Sequence, residues 1–127
     1  DVNRSNWRIA RDVLVAPTAQ EARDRANEVL VRNYQVHQES NRQPSLLAGA
    51  KTNPDLPDSA IDVEYLMDNI WIVGSPDVAA QLRALYEETG GFGTLLAMGH
   101  EWEPRQDWQH SMELLANEVM PQLADLN

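Results

Sequence analysis

A chain of 127 residues has room for one domain, or for part of a larger one. Its 20 acidic residues outnumber its 10 basic ones, and the formal net charge of -10 argues against nucleic acid as a partner, since phosphate binding needs a basic face. There is no cysteine, which excludes disulfides, thiolate metal sites and cysteine nucleophiles.

No apolar run reaches the roughly 18 residues that a membrane-spanning helix needs, so no membrane partner is expected. The chain starts at Asp1 without a Met, a basic stretch or an apolar stretch. The expectation is therefore no signal peptide, a cytoplasmic location, and a piece trimmed from something longer. The apolar fraction of 43% suffices for a real core.

The first element is a strand over Ile9 to Ala16, an apolar and β-branched run that Pro17-Thr18 ends. Thr18 and Glu21 have capping-box spacing, and a helix is expected from there to about Ser40. Ala22, Ala26, Val29, Leu30 and Val36 share its apolar face. Asn41 to Ser59 follows, punctuated by Pro44, Gly49, Pro54 and Pro57, and reads as a long loop or insertion. Asp58 or Ser59 is positioned to cap a short helix through Val63, Tyr65, Leu66 and Met67.

Ile70 to Val73 reads as a short buried strand. Ser75 is placed as an N-cap, with Pro76 at the favoured first helical position. Val78, Leu82, Leu85 and Tyr86 form the buried face of the next helix, which Gly90 or Gly91 ends in a left-handed conformation. Phe92 to Met98 is then a strand whose near-continuous apolar run suits cover on both faces. Pro104 opens a last helix to about Leu123, with Trp108, Met112, Leu115, Val119 and Leu123 on one stripe.

Strands alternating with helices argue for an α/β fold with three parallel strands joined by right-handed crossovers. A whole (β/α)8 barrel needs roughly 250 residues, so the chain reads as the last part of one. In such barrels the active site lies at the C-terminal ends of the strands. Two groups fall there. His100, Glu101 and Trp102 follow the last strand, where an imidazole suits a hydrogen bond to a cofactor edge and an indole suits an apolar pocket. The plainer alternative has His100 capping the strand end and Trp102 packing on the last helix. Gly74 and Ser75 lie in a turn at a helix start, the geometry that binds anions; without a Gly-rich fingerprint, an ordinary βα turn is the simpler reading.

His100, Glu101, Glu103, Asp107 and His110 are close in sequence, but their spacing matches no metal motif, and no metal is expected. His37 lies in a polar helix segment. No nucleophile elbow is present. The catalytic residue stays unassigned.

Trp7 to Glu21, Trp71-Ile-Val-Gly-Ser-Pro76, Gly90-Gly-Phe-Gly-Thr94, Met98-Gly-His-Glu-Trp102, Ser111-Met-Glu-Leu-Leu115 and Glu118-Val-Met-Pro121 occur in that order. Together they resemble the C-terminal part of the bacterial-luciferase-like flavin-dependent monooxygenases, in particular the limonene-monooxygenase-like subgroup. The resemblance implies about three βα units of a luciferase-like (β/α)8 barrel. It implies reduced FMN from a separate flavin reductase, and transfer of one oxygen atom from O2 to an organic small-molecule substrate. The first strands and the loops that hold the flavin phosphate in that family are absent, so this chain alone is expected neither to bind FMN tightly nor to be active. A deazaflavin-dependent oxidoreductase of the same fold is one alternative, and a standalone non-catalytic assembly or binding module is another. An incomplete barrel leaves the faces of Ile70 to Val73 and Phe92 to Met98 without their core, so a homo-oligomer is expected.

Overall fold

The computed structural model describes residues 3–41, 51–98 and 104–126, with side chains for all of these except 32–41 and 58. The main elements are β1 (Arg8–Val15), α1 (Ala19–Asn41), α2 (Val63–Asn69), β2 (Ile72–Gly74), α3 (Val78–Thr89), β3 (Thr94–Met98) and α4 (Arg105–Leu114). A π-helical stretch, Leu115–Val119, and a 3-10 stretch, Met120–Leu126, continue α4.

All three strands are parallel, as the βα alternation predicts, and their order is β2-β1-β3. The central strand divides its pairing. Val13, Leu14 and Val15 oppose Ile72, Val73 and Gly74 of β2, whereas Arg8 to Asp12 oppose Thr94 to Met98 of β3. Backbone bonds show that the two partners lie on opposite edges. Ala16 N–H donates to Gly74 O at 3.1 Å, while Trp7 O accepts from Gly93 and Thr94 N–H. Residues 7 and 16 differ in parity, and alternate residues of a parallel strand direct their peptide groups to opposite sides.

The helices form from the local signals read in the sequence, with shifts. Thr18 Oγ1 accepts from Glu21 N–H at 3.2 Å, one half of the capping box, but Glu21 turns its carboxylate to Arg25 instead. The cap of α2 is Asp62, whose Oδ1 takes Tyr65 N–H at 2.8 Å; Asp58 and Ser59 lie in a separate 3-10 turn, Asp58–Ala60. The second strand begins two residues later than expected because Trp71 N–H still bonds back to Leu66 O at the end of α2. Gly90 and Gly91 both have positive φ, 78° and 104°, and end α3.

Two buried clusters lie on opposite faces of β1 and β2, since adjacent strand residues alternate between them. Leu14 and Val73 join Ala22, Ala26, Leu30, Leu66 and Trp108 on one face. Val13, Val15 and Ile72 join Val78, Leu82 and Val119 on the other. The face of Ile70 to Val73 is therefore not bare: Ile72 is 5% and Val73 7% exposed, under cover from the chain's own helices.

Cover of β3 is one-sided. Leu95 and Ala97 pack into the second cluster, whereas Leu96 is 45% and Met98 40% exposed. The apolar run there does not mean burial on both faces, and the strand proper starts at Thr94, with Phe92 buried ahead of it. The stripe expected on the last helix is broken in the same way. Met112 is exposed, and Ser111 takes the buried position. The π-helical stretch then changes the phase of the side chains and brings Val119 inside.

Candidate functional site at the strand ends

β1 and β2 end level with each other, Val15 opposite Gly74, while among the described residues the pairing with β3 runs as far as Asp12 opposite Met98. Residues 99–103, which follow Met98, lie outside the described residues. The N–H of Val15, which by parity points to the β3 side of β1, donates to Ser111 Oγ at 2.8 Å. Ser111 is 2% exposed. Its hydroxyl gives that buried N–H its acceptor and ties α4 to the end of β1. Trp108 and Leu114 on α4 consequently reach opposite clusters. Sequence reasoning missed Ser111; its only signal was a small polar residue inside an apolar helical stripe.

A second tie joins α4 to α1. Arg25 bonds Glu21 at 2.8 Å, lies 3.4 Å from Asp107, and its Nη1 lies 3.4 Å from His110 Nδ1. With Arg25 only 19% and Asp107 22% exposed, this partly shielded cluster fixes the first turn of α4. Of the five possible metal ligands near the last strand, Asp107 and His110 are thus engaged with an arginine. Among the described residues no three His, Asp or Glu groups gather around one point.

The turn after β2 holds Gly74 and Ser75. A Cβ at Gly74 would stand 2.9 Å from Val78 Cγ1, so glycine here lets α3 pack closely on the strand. Ser75 Oγ accepts from Asp77 N–H at 3.4 Å, and Ser75 O accepts from Val78 N–H at 2.9 Å. Ala79 N–H bonds Pro76 O at 3.3 Å, and Pro76 has no N–H to give. The helix itself begins at Val78, not Pro76. The amides that would cradle a phosphate are spent within the turn, so the residues present do not fit a flavin phosphate here, and no step through a cofactor is assigned to them. His100, Glu101 and Trp102 lie outside the described residues.

At the other end of the sheet a cavity of about 660 Å³ opens between α2 and α3. Arg11, Asp68, Trp71, Ile72, Leu85 and Glu88 line it. It lies beside the part of β1 that β2, only three residues long, does not reach.

Parallel strands, intervening helices, and polar turns at the strands' C-terminal ends are the organisation of a βα-barrel enzyme section. Comparison with known proteins narrows the class. No protein-family model matches the chain. It is 28% identical over 128 residues to 2,5-diketocamphane 1,2-monooxygenase 1 of Pseudomonas putida, covering 94% of this chain and 35% of that protein. It is 33% identical over 126 residues to limonene 1,2-monooxygenase of Rhodococcus erythropolis, covering 94% of this chain and 29% of that one. Among solved structures it matches a type II Baeyer–Villiger monooxygenase, the oxygenating constituent of 3,6-diketocamphane monooxygenase from the CAM plasmid of Pseudomonas putida in complex with FMN. The TM-score is 0.78 at 30% identity, covering 95% of this chain and 34% of that one. These proteins are luciferase-like FMN-dependent monooxygenases, and over nearly its whole length this chain is similar to them in sequence and to the FMN-bound one in fold. The chain spans about one third of the length of the curated relatives it matches.

Proposed function

We propose that this chain is the C-terminal section of a luciferase-like monooxygenase that uses reduced FMN to place one oxygen atom from O2 into an organic small molecule. The observation that carries the reading is the likeness, at a TM-score of 0.78 and 30% identity, to a monooxygenase in complex with FMN. When bound, reduced flavin supplies the electrons that activate O2. The part of this chain is structural support at the strand ends. Ser111 and the Arg25 cluster hold α4, and with it the far end of the segment that carries His100, Glu101 and Trp102. Those three residues are the proposed lining of the cofactor or substrate pocket, with Gly74 and Ser75 placed on its substrate side, away from the flavin phosphate. A separate flavin reductase supplies the reduced flavin.

The test is a chimera in which this chain replaces the section it matches in limonene 1,2-monooxygenase. Given limonene, reduced FMN from a reductase and oxygen-18 gas, it should yield product with one labelled oxygen. Reduced FMN bound and oxidised with no label in the product would refute the reading. Hydride exchange with a deazaflavin in place of oxygen transfer would favour the oxidoreductase alternative.

A further inference from the structure

The cavity between α2 and α3 lies away from the strand ends that carry the candidate site, and its volume of about 660 Å³ is that of a small-molecule pocket. Trp71 and Ile72, 6% and 5% exposed, form an apolar wall together with Leu85. One charged group on the lining stands apart from the others of its kind. Among the described residues Arg23, Arg25 and Arg83 each bond a carboxylate, and Arg4 bonds Thr89 O and stacks on Trp7. Arg8 and Arg105 are exposed to solvent. Arg11 is only partly exposed, yet among the described residues its guanidinium meets no carboxylate. Its hydrogen bond goes to the adjacent backbone, Nη1 donating to Ala10 O at 2.8 Å.

By parity Ala10 O lies on the β2-side edge of β1, so this bond draws the guanidinium to the edge where the cavity opens. A guanidinium has more N–H donors than one carbonyl uses, and its planar fork matches the paired oxygens of a carboxylate. The carboxylates of the wall do not supply that partner: Asp68 is bonded by Arg23 at 3.2 Å, and Glu88 is exposed. We propose that the cavity binds an amphipathic organic carboxylate, its carboxylate held by Arg11 and its apolar body laid against Trp71, Ile72 and Leu85. Lys51, also on the wall, adds positive charge. The net charge of -10 disfavours phosphates and other multiply charged anions, which leaves a monocarboxylate as the ligand class. This site is separate from the oxygen-transfer site and needs no flavin.

Octanoate, 1-octanol and octylammonium share one apolar body and differ in the head group, so the three serve as probes. Each is titrated into the full chain and followed by NMR. Octanoate should shift the Ala10 to Asp12 amides and the Trp71 side-chain N–H in a saturable way. 1-Octanol and octylammonium should bind at least about tenfold more weakly, because neither can use the guanidinium fork. R11Q should weaken octanoate binding by a similar factor, with the far-ultraviolet circular dichroism unchanged. R8Q, at an exposed arginine of the same strand, should leave it as it is. R11K keeps the charge without the fork, so its affinity should fall between R11Q and wild type, and it carries the test if R11Q does not fold. Equal affinity for octanoate and 1-octanol would reduce the cavity to an apolar patch and overturn the proposal. Octanoate binding that survives R11Q, shifts confined to other parts of the chain, or no saturable binding at millimolar octanoate would overturn it as well.

Discussion

Replacing Ser111 by alanine isolates the tie between α4 and the end of β1. Val15 is fully buried, and its N–H has Ser111 Oγ at 2.8 Å as acceptor, itself on a residue only 2% exposed. The substitution removes a single oxygen and leaves the donor in place. A buried donor left without its acceptor costs about 1–3 kcal/mol. Alanine's better helix propensity returns up to about 0.5 kcal/mol. The net expectation is a loss of about 0.5–3 kcal/mol, and for a chain of this size each kcal/mol lowers Tm by about 3–5 °C. Urea and thermal unfolding followed by circular dichroism would measure it, and hydrogen exchange would locate it at the Val15 amide. The denaturant slope should not change, because the surface exposed on unfolding is the same. If S111A unfolded with wild-type stability and the Val15 amide exchanged no faster, the hydroxyl would not be what holds this N–H.

Gly93→Ala should prevent native pairing of β3, because a Cβ there would lie 1.6 Å from the Ser5 carbonyl oxygen, and backbone cannot yield as a side-chain tip can; loss of the folded far-ultraviolet signal or of soluble expression would check it. Asp125 is held below the ordinary carboxylate range by its hydrogen bond from Arg83, so the tie between α3 and Met120–Leu126 is intact above that range and is lost as pH falls through the depressed value. An NMR titration should show the Gln122 to Leu126 amides shifting in acid, and D125N should abolish that transition. The isolated chain should bind FMN weakly, since a barrel draws its cofactor contacts from several strand ends; a fluorescence titration yielding a low-micromolar Kd would contradict this.

Local signals carried most of the secondary structure because they act over a turn or less. Thr18 capping α1, the paired glycines after α3 and the apolar periodicity of Val78 and Leu82 all operate between near neighbours, and all are found in place. Signals that depend on distant partners were not legible. Leu95-Leu96-Ala97-Met98 is apolar throughout, so composition cannot say which of its faces meets α3 and which is bare. Ser111 gives its hydroxyl to the Val15 N–H across 96 positions of sequence, so its role appears only once α4 is packed against β1. The order β2-β1-β3 was hidden for the same reason: three consecutive barrel strands would put the second in the middle, and nothing within Ile72–Gly74 shows that it is too short to separate its neighbours.

The candidate site divides along the same line. Gly74 and Ser75 were found from a local pattern, a strand running into a helix, and that pattern is compatible both with binding an anion and with simply making the turn. The choice depends on where four backbone groups point. Asp77 and Val78 donate to Ser75, Ala79 donates to Pro76 and Ala80 donates to Asp77, so the turn satisfies itself. An anion would have to displace at least one of these bonds, whereas in a ready-made cradle the amides point outward before the ligand arrives. Any flavin phosphate in the complete fold is therefore expected on other loops. Ser75→Ala, which removes only the 3.4 Å bond to Asp77 N–H, should change FMN affinity in the chimera less than twofold. A tenfold loss would show that Ser75 contacts the cofactor directly and that this turn opens when the rest of the fold is present.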